Sequence, residues 1–144
     1  MSVSVYLSAA LFSAAEQAFN QSLARALTEA GYEVILPQEF DHLGDQDRIF
    51  ELNIGAISRA GLVLAVVDGP DVDSGVAWEM GYAYALGVPV VALRTDLRRR
   101  SETIGAAINI MLHRGATLYL EAGPDPVAEA VAAAIKIAPP LELV

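Results

Sequence analysis

The sequence contains no cysteine, few basic residues and no long uninterrupted apolar segment. Without cysteine, disulfides, thiolate zinc sites and a cysteine nucleophile are excluded. Nine Lys and Arg stand against eighteen Asp and Glu, and the net charge of -9 argues against nucleic acid or an anionic membrane as a partner. The one basic cluster, Arg94–Arg100, is interpreted as a solvated loop, with a phosphate site as the alternative. No signal peptide is visible, and no apolar stretch reaches the roughly 18 residues that span a membrane, so we predict a cytoplasmic protein.

Several common active-site motifs are also missing. No G-x-G-x-x-G follows the first predicted strand and no Walker lysine is present, which disfavours dehydrogenases and kinases. No serine occupies a nucleophile elbow, and neither His42 nor His113 has a partner at a metal-ligand spacing. We therefore expect neither a zinc site nor a bound cofactor.

Apolar residues make up 54% of the 144-residue chain and follow alternating strand and helix patterns. The predicted strands are Val3–Leu7, Glu33–Leu36, Leu62–Val67, Pro89–Leu93 and Ala116–Leu120, and the predicted helices are Ala14–Ala30, Arg48–Ala60, Ser74–Leu86, Ile104–His113 and Pro124–Ile137. This alternation predicts one α/β domain over residues 1–144, a three-layer sandwich around a five-stranded parallel sheet. The right-handed crossover rule favours the flavodoxin-like, Rossmann-like strand order 2-1-3-4-5.

The strand Leu62–Val67 ends directly at an acid-rich turn that holds Asp68, Asp71 and Asp73. Ligands of open α/β sheets bind outside the carboxyl ends of the strands, so this turn is a candidate site. Crowded carboxylates raise one another's pKa, and one of them could stay protonated as a general acid. A magnesium ion is an alternative ligand for the same acids. Asp73 also stands where a helix N-cap is expected.

Glu79 is the single acid of the otherwise uncharged helix Ser74–Leu86. No cation stands four residues away to pair with it, so we interpret it as a carboxylate facing the crevice and not as a surface ion pair. Gly75, one turn earlier, leaves room for a ligand, and Tyr82, about one turn later, could hold the carboxylate by a hydrogen bond. A nucleophilic carboxylate beside a protonated one is the arrangement of retaining glycosyl transfer.

Four segments together resemble the nucleoside 2-deoxyribosyltransferases, at matching order and spacing over nearly the whole chain. They are Val5–Ala9, Pro37–Gln38, Asp71–Ala83 and Ile108–Met111. The resemblance implies exchange of nucleobases between 2′-deoxynucleosides through a covalent deoxyribosyl-enzyme, in nucleoside salvage. Glu79 matches the family nucleophile, Asp73 an acid of the base and sugar site, and Tyr6 the tyrosine that orients the nucleophile.

The same resemblance implies further substrate contacts. Gln38 falls where the family places a base-contacting glutamine or its neighbour. Asn109 and Met111 match residues that an adjacent subunit supplies to the sugar hydroxyl. That match implies a homo-oligomer built from dimers, up to a hexamer, in which the two residues complete a neighbouring site.

Two positions depart from the family pattern. Asn53 stands where the family often has an acid that helps to protonate the base, so Asp73 or Asp71 would take over the proton transfer while Asn53 contacts the base. The chain ends at Leu141–Val144 without the aromatic terminus of some members.

Transfer in place of hydrolysis also requires that water be kept from the intermediate. We expect the barrier against water to consist of Phe12, Leu11, Trp78 and a neighbouring subunit.

Two other functions are compatible with the same residues. A 2′-deoxynucleoside 5′-monophosphate N-glycosidase would use the same glutamate and would bind the phosphate through Ser8, Ser13, Ser74 and Arg98–Arg100. A catalytically silent nucleotide-binding module is the third alternative. The unpaired acid Glu79 argues against such a module, because binding alone does not need a carboxylate in the crevice.

Overall fold

The computed structural model describes residues 2–99 and 105–141. Five strands form one parallel sheet: β1 (Ser4–Ser8), β2 (Glu33–Ile35), β3 (Leu62–Val66), β4 (Val90–Arg94) and β5 (Leu118–Glu121). Their order is β2-β1-β3-β4-β5, so the predicted parallel sheet and its order 2-1-3-4-5 are confirmed. The order reverses at β1 and β3, and the crevice between their carboxyl ends is the switch point.

Helices cover both faces of the sheet. They are α1 (Ala14–Glu29), α2 (Gln46–Arg59), α3 (Ser74–Leu86), α4 (Ile110–Gly115) and α5 (Pro126–Ile137), with a short 3-10 turn at Pro37–Glu39. Helices α1 and α5 pack on one face, and α2 and α3 pack on the other together with the segment that leads into α4. The α/β class and the three layers are confirmed. Among the described helices, none is long and apolar enough to cross a membrane.

The side chains of the central strand β3 show that helices cover both faces of the sheet. Leu62 and Leu64 point into the core under α1 and α5, whereas Val63 and Ala65 point into the core under α2 and α3. All four side chains are fully buried. A strand buried on both faces needs apolar residues at every position, which is the pattern of this segment.

Helix boundaries differ from the sequence pattern where a side chain caps the helix. α2 begins at Gln46, two residues before the predicted start, because Asp45 Oδ1 accepts the N–H groups of Asp47 and Arg48. The predicted helix Ile104–His113 is wrong in its first half, since the helix starts only after the capping residue Asn109. Ile104 itself lies outside the described residues.

Candidate active site

Glu79 lies in the second turn of α3, where two hydroxyl groups from β1 reach its carboxylate. The Tyr6 hydroxyl donates a hydrogen bond to Glu79 Oε2, and the Ser8 hydroxyl donates one to Glu79 Oε1 at 3.0 Å. Tyr6 and Ser8 are two residues apart on the strand, so their side chains point to the same face of the sheet. Both residues are fully buried. Each carboxylate oxygen of Glu79 is therefore held by its own donor.

The surroundings of Glu79 alter how readily its carboxyl group ionises. Burial raises the pKa of Glu79, the hydrogen bonds from Tyr6 and Ser8 lower it, and the negative charge of Asp73 raises it. The net result is a pKa above the ordinary value of a glutamate. Burial, with the charge and hydrogen bond of Glu79, raises the pKa of Tyr6 far above its usual range. Tyr6 thus stays a protonated donor to the ionised carboxylate.

Tyr82 does not hold Glu79 as the helical spacing predicts. Its ring stacks on Trp78 with the ring centroids 5.3 Å apart, and Trp78 also meets Phe50 of α2 edge-on at 5.7 Å. Trp78 and Phe50 are each about half exposed. The side of α3 next to α2 thus carries an aromatic cluster. The hydrogen bonds to Glu79 that were predicted for Tyr82 come instead from hydroxyl groups of β1.

Asp73 is the N-cap of α3, as predicted. Its Oδ2 accepts the backbone N–H groups of Gly75 and Val76 at 3.0 and 3.1 Å. A Cβ atom on Gly75 would lie 3.1 Å from the same oxygen, so this glycine makes room for the cap. Because Asp73 begins the helix that carries Glu79, its charge acts on the Glu79 carboxyl group. The two acids therefore interact electrostatically.

The other two acids of the turn differ in their partners. Asp68 accepts hydrogen bonds from the Thr95 N–H (2.6 Å), the Thr95 hydroxyl (2.5 Å) and the Asp96 N–H (3.0 Å), and so ties the end of β3 to the end of β4. Asp71 is exposed, and among the described residues its carboxylate accepts only the next backbone N–H, at 3.1 Å. Within the described part of the chain, no three acidic or histidine side chains are grouped to hold a metal ion. Asp71 and Asp73 keep a carboxylate oxygen that no described donor occupies.

Arg94 is a buried part of the framework, so the solvated-loop interpretation is wrong for this member of the basic cluster. It is 2% exposed and donates to the backbone carbonyl oxygens of Val67 (2.5 Å), Gly69 (3.2 Å) and Arg98. These bonds hold the acid turn against the end of β4. Arg98 is exposed, and Arg100 lies outside the described residues.

An open cavity of about 580 Å³ lies at the carboxyl edge of the sheet, beside this site. That volume falls in the range of small-molecule sites. The exposed ring of Phe12 and the ring of Phe19 form its apolar wall, and Asp71 and Asp73 belong to its acidic wall. Glu79 is not in the wall, so Asp73 is the side chain that links the cavity to the glutamate.

Gln38 belongs to a network of amides that the sequence reasoning missed. Its Oε1 accepts from Asn20 Nδ2 at 3.0 Å, and its Nε2 donates to the Gln17 carbonyl at 3.1 Å. Asn20, 3% exposed, also donates to the Ala10 carbonyl at 3.0 Å. An asparagine among the buried positions of α1 is the signal that could have revealed this network. It braces the loop after β1, while the contact of Gln38 with a nucleobase stays a prediction.

Asn53 lies on the inner side of α2, one turn before the buried Ala56 and Ile57. Its Oδ1 is buried, and no described residue donates a hydrogen bond to it. A buried acceptor without a donor costs about 1–3 kcal/mol, so an N–H group of a bound ligand would be favourable there. The contact of Asn53 with a base stays a prediction.

Asn109 and Met111 lie together at the start of α4. Asn109 Oδ1 accepts the Met111 N–H at 2.9 Å and caps the helix. The Met111 side chain is 77% exposed. An exposed pair at a helix start suits a contact with another chain, but the predicted contribution to a neighbouring site stays a prediction.

The chain is similar in sequence to a known family and in fold to solved structures. Residues 5–111 match the sequence model of a family described as nucleoside 2-deoxyribosyltransferase. No curated protein matches the chain significantly. Among solved structures, a conserved protein from Enterococcus faecalis V583 is 26% identical with a TM-score of 0.74, covering 91% of this chain and 98% of that one.

Two further solved structures share the fold at lower identity. A 2-deoxyribosyltransferase from Leishmania mexicana is 21% identical with a TM-score of 0.70, covering 90% of this chain and 97% of its own. A CMP N-glycosidase from Clostridium botulinum is 24% identical with a TM-score of 0.61, covering 90% and 95%.

Proposed function

Because the chain belongs to the nucleoside 2-deoxyribosyltransferase family, we propose that it transfers a 2-deoxyribosyl group between nucleobases through a covalent intermediate on Glu79. The observation that carries the proposal is the Glu79 carboxylate, held by two buried hydroxyl donors and influenced by the charge of Asp73. A carboxylate that is oriented by donors and pairs with no described cation suits a nucleophile. The proposed substrates are 2′-deoxynucleosides and free nucleobases, with no cofactor.

In the first half-reaction, an oxygen of Glu79 attacks C1′ of the nucleoside. The bond between C1′ and the base nitrogen breaks, and its electron pair leaves with the base, which takes a proton from an acid. In the second half-reaction, a nitrogen of the incoming base attacks C1′, the ester bond breaks and the Glu79 carboxylate is regenerated. The proton of the incoming base returns to the acid. A 2-deoxy sugar lacks an electron-withdrawing hydroxyl, so its oxocarbenium-like transition state forms readily.

Asp73 and Asp71 are the proposed proton donors to the departing base. Both line the cavity and both keep a carboxylate oxygen free of described donors. Asp68 is unsuited, because its two oxygens are occupied by Thr95 and Asp96. Asn53 can contact a base but cannot protonate it. A positioned general acid contributes about 10²–10⁴-fold to the rate.

We further propose a homo-oligomer built from dimers, up to a hexamer, because transfer requires that water be kept from the intermediate. Phe12 is 78% exposed, Trp78 51% and Met111 77%, so one chain alone leaves apolar groups uncovered beside the cavity and on α3 and α4. In an oligomer, Asn109 and Met111 of one chain would complete the site of its neighbour. Light scattering of the purified protein tests the assembly, and a monomer at assay concentrations would contradict it. The proposed place of action is the cytoplasm.

Hydrolysis of 2′-deoxynucleoside 5′-monophosphates is the alternative, and the charge of the cavity disfavours it. The charged side chains in the wall are Glu16, Asp68, Asp71, Asp73, Asp96 and Arg98. Arg98 is already paired with Asp96 at 2.5 Å, and the Ser8 hydroxyl is used by Glu79. A phosphate dianion would enter an acidic cavity in which the described cationic side chain, Arg98, is already paired with a carboxylate. A nucleoside is neutral and meets no such repulsion.

Two parallel assays separate these activities. The first follows formation of deoxyadenosine from deoxyinosine and adenine, and the second follows release of base from a deoxynucleoside monophosphate in water. We expect exchange in the first assay to be the dominant activity. Cleavage of the monophosphate with no detectable exchange would sink the transferase proposal.

A catalytically silent binding module is distinguished by the covalent step. A 2-fluoro-2-deoxy nucleoside should trap an adduct on Glu79, identified by mass spectrometry of the proteolysed protein. Glu79→Ala should abolish turnover and the adduct while the fold and substrate binding are retained. Turnover undiminished in Glu79→Ala would refute the assignment of the nucleophile.

A further inference from the structure

The family resemblance assigns the orientation of the nucleophile to the tyrosine and gives Ser8 no function. Ser8 nevertheless contacts Glu79 directly. Resting on the function proposed above, we propose that Ser8 is a second positioning residue, which stabilises the free Glu79 carboxylate and thereby limits accumulation of the deoxyribosyl-enzyme. Ser8 is the last residue of β1 and pairs with Ala65 of the neighbouring strand β3. This backbone position fixes where its hydroxyl points.

Two features make the contact an effective one. Ser8 is fully buried, so water does not compete for its hydroxyl. Its Oγ lies 3.0 Å from Glu79 Oε1 while the Tyr6 hydroxyl binds Oε2, so the carboxylate is held at two points. A hydrogen bond to a charged acceptor is stronger than one to a neutral acceptor. Ser8 therefore binds the carboxylate more strongly than any neutral form of Glu79.

A proton and a deoxyribosyl group act alike on Glu79, because each forms a bond to a carboxylate oxygen and removes the negative charge. A donor that favours the charged carboxylate consequently disfavours both products. In the first half-reaction Ser8 lowers the yield of ester and free base. In the second it assists the departure of the carboxylate when the incoming base attacks C1′. Its overall effect is an intermediate that is consumed quickly, before water can react with it.

Besides Ser8, the groups that act on the Glu79 carboxyl are Tyr6 from β1 and Asp73 from the start of α3. The hydrogen bond from Ser8 lowers the pKa of Glu79. Removing the Ser8 hydroxyl leaves burial and Asp73 in place. The pKa of Glu79 should then rise, and the ester should become more favourable relative to the carboxylate.

The test uses Ser8→Ala with two matched variants. Ser8→Thr retains a hydroxyl at the same position and should restore the wild-type behaviour. Ser4→Ala makes the same chemical change on the same face of β1, where the Ser4 hydroxyl donates to the Arg59 carbonyl at 3.2 Å, away from Glu79. Thermal unfolding of each variant shows whether it folds.

Three readouts are measured on the full-length protein. With a 2′-deoxynucleoside and no acceptor base, intact mass after acid quench gives the ratio of adduct to free protein. We expect Ser8→Ala to raise this ratio about tenfold, the strength of one hydrogen bond to a charged group. The acidic limb of the kcat/KM profile should move to higher pH. In protein without substrate, NMR of ¹³C-labelled glutamate should show Glu79 titrating at higher pH.

The outcomes separate this proposal from the one on which it rests. If the wild type exchanges bases but Ser8→Ala changes neither the adduct ratio nor either titration, the role of Ser8 is refuted and the transferase function stands. If the substrate-free titration moves but no protein forms an adduct, the transferase function fails while the hydrogen bond is upheld. Equal effects in Ser4→Ala would show a general loss of packing and would overturn the proposal.

Discussion

Replacement of Glu79 by glutamine should abolish transfer and, at neutral pH, make the folded protein more stable. Glutamine keeps the size of the side chain and can still accept a hydrogen bond from a hydroxyl of β1, but it carries no charge. The pKa of Glu79 is raised above its ordinary value of 4.5, chiefly by burial, so ionising this group in the folded protein is costly. The proposed nucleophile thus opposes folding at the neutral pH at which transfer is to be assayed.

The sign and size of the effect follow from proton linkage. Between pH 4.5 and the raised pKa, the folded protein binds more protons at Glu79 than the unfolded chain does. The free energy of unfolding of the wild type therefore falls as pH rises through this window. The fall cannot exceed about 1.4 kcal/mol per pH unit, the slope for one proton. The free energy of unfolding of Glu79→Gln does not fall in this way, since glutamine does not titrate.

The assay compares the midpoints of thermal unfolding of Glu79→Gln and wild type from pH 4 to pH 8. Titrating groups that do not interact with Glu79 are common to both proteins and cancel in the difference. We expect similar stability near pH 4 and a growing advantage of the variant toward neutrality, at about 2–4 °C per kcal/mol. Glu51→Gln, which alters an exposed glutamate of α2, is the control and should give no trend. A difference independent of pH, or an advantage at pH 4 that vanishes at pH 7, would refute the reasoning.

Three further substitutions test the surroundings of the glutamate. Tyr6→Phe keeps the buried ring but removes the donor to Glu79, so kcat/KM should fall about 10- to 100-fold at neutral pH, with a smaller deficit in the alkaline part of a pH–rate profile. Asn53→Asp places a carboxyl in a buried position that keeps it protonated, and exchange of a purine should accelerate about tenfold in steady-state assays. Asp68→Asn weakens the bonds to Thr95 and the following N–H, so calorimetry should show a loss of about 2 kcal/mol in the free energy of unfolding.

The fold could be predicted because its signals are local and repeated along the chain. Near-continuous apolar runs separated by amphipathic helices specify a covered parallel sheet, and the crossover rule limits its order. The start of α4 could not be placed in this way. Its position depends on the hydrogen bond from Met111 to the Asn109 side chain, which interrupts an apolar pattern that would otherwise continue. A capping residue within an apolar run has a weak signal.

The partners of Glu79 illustrate the limit for the site. Helical spacing predicts Tyr82 as the donor, but Tyr82 stacks on Trp78, and the donors come from a strand more than 70 positions earlier. The resemblance supplied Tyr6. Ser8 could have been found by the two-residue period of the strand, which places it on the same face as Tyr6. Long-range contacts of this kind arise from sheet topology, and sequence spacing alone does not contain them.

Helix α3 shows why a single chain gives an incomplete account of the site. The helix carries apolar residues on all of its faces, a pattern typical of helices buried on all sides. Within one chain it buries Val76, Met80 and Ala83, whereas Trp78 and Tyr84 are 51% and 68% exposed. The same helix carries the glutamate proposed to form an ester that water must not reach. Packing by another copy of the chain would cover the exposed aromatic rings and shield the ester together, which links the apolar excess of the sequence to transfer in place of hydrolysis.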